Sequence, residues 1–106
     1  MFARSVSIRL KGNSLAEFTR VIEKHALPLL RKQKGFQDEL TFVYPGGGEA
    51  MAISLWDEKQ SADRYGRNGY LEVLKALSKV VEGTPQVHTC EVCNSTFHKI
   101  AALCGN

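Results

Sequence analysis

The sequence predicts a single α+β domain with elements in the order β-α-β-β-α-β. Three observations carry this. Phe2 to Leu10 alternates between apolar and polar residues. Residues 36–44 and 49–57 are two runs rich in aromatic, β-branched and other apolar residues around Pro45-Gly46-Gly47-Gly48, a hairpin signature. Apolar residues recur at helical spacing on either side of that hairpin, and a last alternating run follows the second of these stretches. This order is the ferredoxin-like split βαβ arrangement: a four-stranded antiparallel sheet with two helices on one face.

In the first strand, Phe2, Val6, Ile8 and Leu10 share one parity with Arg4, and Ala3, Ser5, Ser7 and Arg9 take the other. Lys11-Gly12-Asn13 makes a turn. Ser14-Leu15-Ala16-Glu17 fits a capping box. Leu15, Phe18, Ile22, Ala26, Leu29 and Leu30 then mark the first helix. Pro28 lies inside this pattern and predicts a kink or break near Ala26-Leu27, because it lacks an amide and crowds the preceding turn. Gly35 is the expected C-terminal cap.

In the hairpin, Phe36, Leu40, Phe42 and Tyr44 are expected to share a face with Asp38, opposite Gln37, Glu39, Thr41 and Val43. The second hairpin strand sets Met51, Ile53 and Leu55 against Ala50, Ala52, Ser54 and Trp56. It is apolar or small on both sides, whereas a sheet with one wet face alternates. Both faces of this strand are therefore expected to be covered. Asp57 is the expected N-cap of the second helix, with Gln60 as capping-box partner. That helix, residues 58–82, carries Ala62, Tyr65, Leu71, Leu74, Leu77 and Val81. It should bend at Gly66, Asn68 and Gly69. Glu82-Gly83-Thr84-Pro85 ends it, and Gln86 to Cys93 is the last strand. The tail, residues 94–106, contains Phe97, Ile100, Ala101, Ala102 and Leu103, and is expected to form a short helix or an extra strand.

The chain of 106 residues is expected to be one domain, with core 2–93 and tail 94–106. A formal charge of +3 is weak, and its densest cluster, Arg31-Lys32-Gln33-Lys34, falls where cations complement a helix C-terminus. No nucleic-acid partner is expected. Nor is a membrane, since no stretch approaches a span of about 20 apolar residues. The N-terminal residues do not read as a signal peptide, and an odd cysteine count suits no secreted disulfide framework. A cytoplasmic protein with reduced thiols is the expectation.

Several segments resemble the antibiotic-biosynthesis-monooxygenase family. They are Leu29-Leu30-Arg31-Lys32-Gln33-Lys34-Gly35-Phe36, Ile53-Ser54-Leu55-Trp56-Asp57, and Gly69-Tyr70-Leu71-Glu72-Val73-Leu74-Lys75-Ala76-Leu77 within the helix Ala62 to Leu77. The resemblance covers residues 2–93. It implies a homodimer in which two sheet faces pack into a dimeric α/β barrel, and cofactor-independent oxygenation of a small aromatic or quinol-type substrate. The alternative is a non-catalytic barrel of the same kind that binds a small ligand or a protein partner. Haem-degrading members of the family use an Asn on the first strand, a Trp near the end of the third and a His on the second helix. Trp56 matches the Trp, but the first strand offers only Ser5 and Ser7, and residues 58–82 contain no His. No haem, other cofactor or metal is expected.

The quinol-oxidising members point to Trp56 as a pocket wall, Tyr65 and Asn68 as hydrogen-bonding groups and Arg64 as stabiliser of an anionic substrate. His88 is a further candidate, as a base titrating near neutrality, set against the plain reading of a strand residue. His25, at the predicted kink, reads as a surface or core-edge residue. Cys90-Glu91-Val92-Cys93 spaces two cysteines as redox or zinc sites do, with His88 and His98 nearby. In a strand, however, residues three apart face opposite ways, and two buried thiols are the expectation. Gly46-Gly47-Gly48 joins strands and is no phosphate loop. A cavity of several hundred Å³ with convergent polar groups would favour the catalyst, and a filled cleft the binding protein.

Overall fold

The computed structural model describes residues 1–100 of the chain. Strands β1 (Phe2–Arg9), β2 (Phe36–Val43), β3 (Glu49–Trp56) and β4 (Gln86–Glu91) form one antiparallel sheet in the spatial order β2-β3-β1-β4. Between β1 and β2 lie α1 (Leu15–Val21), a π-helical turn (Ile22–Ala26) and α2 (Leu27–Arg31). Between β3 and β4 lie α3 (Lys59–Arg67) and α4 (Gly69–Leu77). The ferredoxin-like order and the four-stranded antiparallel sheet read from the sequence are those observed.

The parity of β1 sets the core. Phe2, Arg4, Val6 and Ile8 stand beside Trp56, Ser54, Ala52 and Ala50 of β3, and this row turns to the helices. Phe18, Val21, Ile22, Ala26 and Leu30 close over it from the first helical stretch, and Ala62, Tyr65, Tyr70, Val73 and Leu77 from the second. Trp56 and Phe18 are the largest fully buried side chains. Truncating either to Ala removes about 3–5 kcal/mol of transfer and cavity energy.

Several local expectations are corrected. Ser14 forms no capping box: its hydroxyl donates to the Gly12 carbonyl, and Glu17 pairs with Arg20 instead. The irregularity expected near Ala26-Leu27 is a change of helix type rather than a break. The backbone stays helical through Ala26 and Leu27. The chain widens into the π turn just before Pro28, which then occupies the first turn of α2, where its missing amide costs nothing. The C-cap is Lys32 rather than Gly35, which holds φ +83 in the turn that leads into β2.

The N-cap of α3 is Glu58 rather than Asp57, whose carboxylate accepts the Glu58 amide. The second helical stretch ends at Leu77 rather than Glu82, because Val80 and Val81 turn back to pair with Lys11 and Leu10. β4 ends at Glu91 rather than Cys93 and lies at the sheet edge. Cys90 is therefore an exposed free thiol, not a buried one, and Cys93 is exposed and disulfide-bonded rather than a buried reduced thiol.

The hairpin corrects the facing of Phe36. A bulge between Phe36 and Asp38 sets Phe36 beside Trp56, on the helix side, while Asp38, Leu40 and Phe42 face the other way. That second sheet face carries Leu40 (47% exposed) and Phe42 (45%), with Met51, Ile53, Leu55, Ser5, Ser7 and His88. The described residues do not wholly cover it. The segment after β4 crosses one end of it: the Val92 amide bonds to the Met1 carbonyl, and His98 Nε2 contacts Asp38 Oδ2 on the far edge strand. Ala3, in the row between those edges, is 8% exposed. Residues 92–100 adopt neither helix nor strand, and Ala101, Ala102 and Leu103 lie outside the described residues.

Candidate functional site

The site forms where the apolar row of β1 is interrupted by Arg4, which is 6% exposed. β1 places the guanidinium under the corner between α3 and α4. Its central carbon lies 3.9 Å from the centre of the Tyr70 ring and 5.3 Å from that of Tyr65. These are cation–π distances, worth about 0.5–2 kcal/mol each. Among the described residues, no carboxylate forms a salt bridge with Arg4.

The corner exists because the helix breaks at Asn68, whose φ −123 and ψ −82 are not helical. The flanking glycines permit the close approach. A Cβ on Gly66 would sit 3.4 Å from Arg4 Nε, and one on Gly69 would press on Leu29 at 2.8 Å and on the Tyr65 ring at 3.0 Å. The interruption read from the sequence is therefore a packing requirement of the site. It also lets Tyr65 and Tyr70, on separate helices, converge on one cation.

Trp56 continues the aromatic wall. It stacks on Tyr65 with centroids 5.1 Å apart and meets Phe36 edge-on at 5.6 Å. Its indole N–H donates to Ser54 Oγ at 2.9 Å, and the Ser54 hydroxyl points to the Arg4 carbonyl at 3.4 Å. Glu39 of β2 is level with Ser54 and so with Arg4, giving the row Glu39, Ser54, Arg4 across three strands. Thr41 donates to Glu39 Oε2 at 2.6 Å.

Burial governs the electrostatics. It lowers the Arg4 pKa, against the raising effects of Tyr70, Tyr65 and, last in size, the Asp63 carboxylate, which acts on it without a salt bridge. It pushes the Tyr65 phenol up to about 12 and raises that of Tyr70. It also raises Glu39, partly offset by the hydrogen bond from Thr41.

A cavity of about 40 Å³ lies between the layers here, with Arg4, Glu39, Ser54, Tyr65 and Tyr70 on its polar side and Val6, Ile22, Leu30 and Val73 on its apolar side. A larger hollow, about 440 Å³, opens at the hairpin end among Ser7, Arg9, Tyr44, Glu49, Glu82 and Gln86, apart from the aromatic cluster.

Of the residues singled out by sequence, Trp56 and Tyr65 meet in the buried cluster. Arg64 and Asn68 lie on the exposed side of the corner, with the Asn68 amide donating to the Arg64 carbonyl at 3.0 Å. His88 lies opposite Ser5 on the other sheet face. Arg4, Tyr70 and Glu39 were not singled out. The signal for Arg4 was a charge on the apolar parity of β1. Glu39 gave none until the direction of the hairpin was known. Among the described residues, no group of three or more His, Cys, Asp or Glu side chains could hold a metal ion. Among them no helix is long and apolar enough to cross a membrane.

No protein-family model and no curated protein matches the chain. Solved structures do. The cofactor-independent oxygenase SnoaB of Streptomyces nogalater superposes with a TM-score of 0.74 at 17% identity, covering 92% of this chain and 97% of that one. A monooxygenase of Streptomyces coelicolor, in complex with nanaomycin D, gives 0.76 at 16% identity, covering 92% of each chain. A Bordetella bronchiseptica protein, provisionally named an antibiotic biosynthesis monooxygenase, gives 0.74 at 17% identity, covering 86% of this chain and 95% of that one. These likenesses bear out the fold read from the sequence: the chain shares the ferredoxin-type α+β fold of these structures.

Proposed function

We propose that the protein is a cofactor-independent oxygenase of a small aromatic or quinol-type molecule that reacts as its anion. The observation that carries this is Arg4: a buried cation without a carboxylate partner among the described residues, set in an aromatic wall on an internal cavity. A buried charge is costly to keep. An anionic ligand supplies the missing partner, and in a site shielded from water the attraction stabilises an enolate or phenolate strongly. Tyr70 flanks the ring system, Trp56 backs the wall by stacking on Tyr65, and Tyr65, neutral at physiological pH, offers a hydroxyl hydrogen bond. The role assigned from sequence to Arg64 passes to Arg4. The oxygenase chemistry of the neighbours SnoaB and the Streptomyces coelicolor enzyme supports the reading through shared fold.

The overall reaction for an anthrone-type substrate takes one molecule of oxygen per activated methylene and yields a carbonyl and water. The test is oxygen uptake with anthrone and with a naphthoquinol, comparing wild type with Trp56→Phe and Arg4→Gln. Uptake above the uncatalysed rate, lowered in both variants, is expected. No turnover of either substrate overturns the reading.

A second reading has its own observation. The cavity of about 40 Å³ is far below the about 300–1,000 Å³ of small-molecule sites. A substrate enters only if the corner at Asn68 moves outward. Without that movement, the protein is a non-catalytic dimeric barrel serving a ligand or protein partner. In either case two copies associate through the uncovered sheet face that bears Leu40 and Phe42.

A further inference from the structure

β2 is turned opposite to what its composition suggests. It sends Leu40 and Phe42 away from the helices and Glu39 and Thr41 toward them. A strand packing against a helical layer ordinarily directs its apolar parity inward. Packing does not account for a carboxylate on the cavity wall, since burial costs it solvation.

Its placement is specific. Thr41 holds Oε2, and among the described residues no hydrogen bond reaches Oε1 and no cation pairs with the group. Glu39 and Arg4 stand in one row on either side of Ser54, so their backbones are two strand spacings, about 10 Å, apart. The cavity lies over that row. The titratable groups facing it are Arg4 from β1, Tyr65 from α3 and Tyr70 from α4. β3 contributes Ser54, the first helical stretch Ile22, Ala26 and Leu30, and the segment before β4 Pro85, none of which titrates. Glu39 is thus the carboxylate of the site, facing its cation across the space a planar molecule would occupy.

We propose that Glu39 is the proton acceptor of the reaction, removing a proton from the activated methylene of a substrate whose oxygen lies against Arg4. The inference rests on the oxygenase reading above. The carbon–hydrogen bond breaks, its proton passes to the carboxylate, and its electron pair enters the enolate held by Arg4. Oxygen, the two-electron oxidant, adds at that carbon, and the proton returns from Glu39 to the peroxide. Loss of the second methylene hydrogen with cleavage of the oxygen–oxygen bond leaves the carbonyl and releases water. Burial raises the affinity of Glu39 for the proton it accepts.

The experiment follows anthrone oxidation by oxygen uptake and anthraquinone appearance across pH, in wild type, Glu39→Gln and Glu39→Asp. Circular dichroism verifies the fold of each. Glu39→Gln keeps an acceptor for Thr41 and removes a half-buried charge. Its kcat is expected to fall by about 100-fold or more, with KM little changed, and the acid limb of the pH profile to disappear. Glu39→Asp restores part of kcat and the acid limb. Anthrone deuterated at its methylene carbon slows wild type by a primary isotope effect. A Glu39→Gln enzyme within about threefold of wild type, with its acid limb intact, overturns the proton-acceptor role and leaves the oxygenase reading standing. Folded wild type that turns over the naphthoquinol but not anthrone overturns the proton-acceptor role alone, and turnover of neither substrate overturns both.

Discussion

At the scale of single residues, Arg4 shows stability and function opposed. Desolvating a guanidinium without a carboxylate partner costs several kcal/mol, and two cation–π contacts return only part of it. Arg4→Met is therefore expected to raise stability by about 1–2 kcal/mol, read as an increase of about 4–8 °C in Tm per kcal/mol for a domain near this size. The same variant should lower turnover by about 100-fold or more through loss of the anion's partner. Tyr65 makes a second prediction. Its pKa rises from 10 in the unfolded chain to about 12 in the fold, so the folded state holds that proton more tightly. Its contribution is fully present below pH 10 and is lost as pH rises toward 12, amounting to about 2–3 kcal/mol. Urea unfolding between pH 9 and 12, in wild type and Tyr65→Phe, checks this; the variant should lose the steep alkaline decline. Much of this site was legible in part: Trp56 and Tyr65 stood out as aromatics, and Arg4 sat on the apolar parity of β1. Its meaning needed the third dimension, since only packing shows that a charge is buried without an ion-pair partner.

At the scale of elements, periodicity revealed what burial dictates locally and missed what two segments settle jointly. The alternation of β1 and the helical recurrence from Phe18 to Leu30 follow from one buried face each, so they can be read from one stretch of chain. The bulge at Gln37 depends on the register of β2 against β3, and the early end of the second helical stretch depends on Val81 pairing with Leu10. Neither is written in the segment it affects. Glycines offer a clean test of the difference between local and joint constraints. Gly35 and Gly83 both hold positive φ, at +83 and +72. A Cβ on Gly83 meets open space, whereas one on Gly35 overlaps Asp57 Oδ1 and the Ser61 side chain. Gly83→Ala should cost only the conformational strain, about 1 kcal/mol, and Gly35→Ala that amount plus overpacking, about 3 kcal/mol or more in total. Chemical denaturation of the two variants measures the difference, and equal losses would show that the β3–α3 junction yields freely around Gly35.

At the scale of the whole molecule, the open sheet face decides what the particle is. The apolar second hairpin strand led the sequence reading to expect cover on both sides, and one side is covered by the helices. On the other, among the described residues, the crossing segment reaches the end row of Asp38, Leu55, Ala3 and Cys90 through His98. The rows beyond it, Leu40-Ile53-Ser5-His88 and Phe42-Met51-Ser7-Gln86, combine large apolar residues on β2 and β3 with small or polar ones on β1 and β4. Such a face, greasy at one side and shallow at the other, would suit the proposed second copy turned by a two-fold axis, large side chains of one copy over small ones of its partner. Association would also relieve the limited core of a short chain. Wild type is expected to sediment at twice the chain mass at micromolar concentration. The double substitution Leu40→Lys and Phe42→Lys places two charges in the contact and should give monomers, with far-ultraviolet circular dichroism unchanged because neither side chain faces the helices. A wild-type monomer at these concentrations would remove the dimer. If a dimer persists in the double variant, its interface lies elsewhere on the molecule.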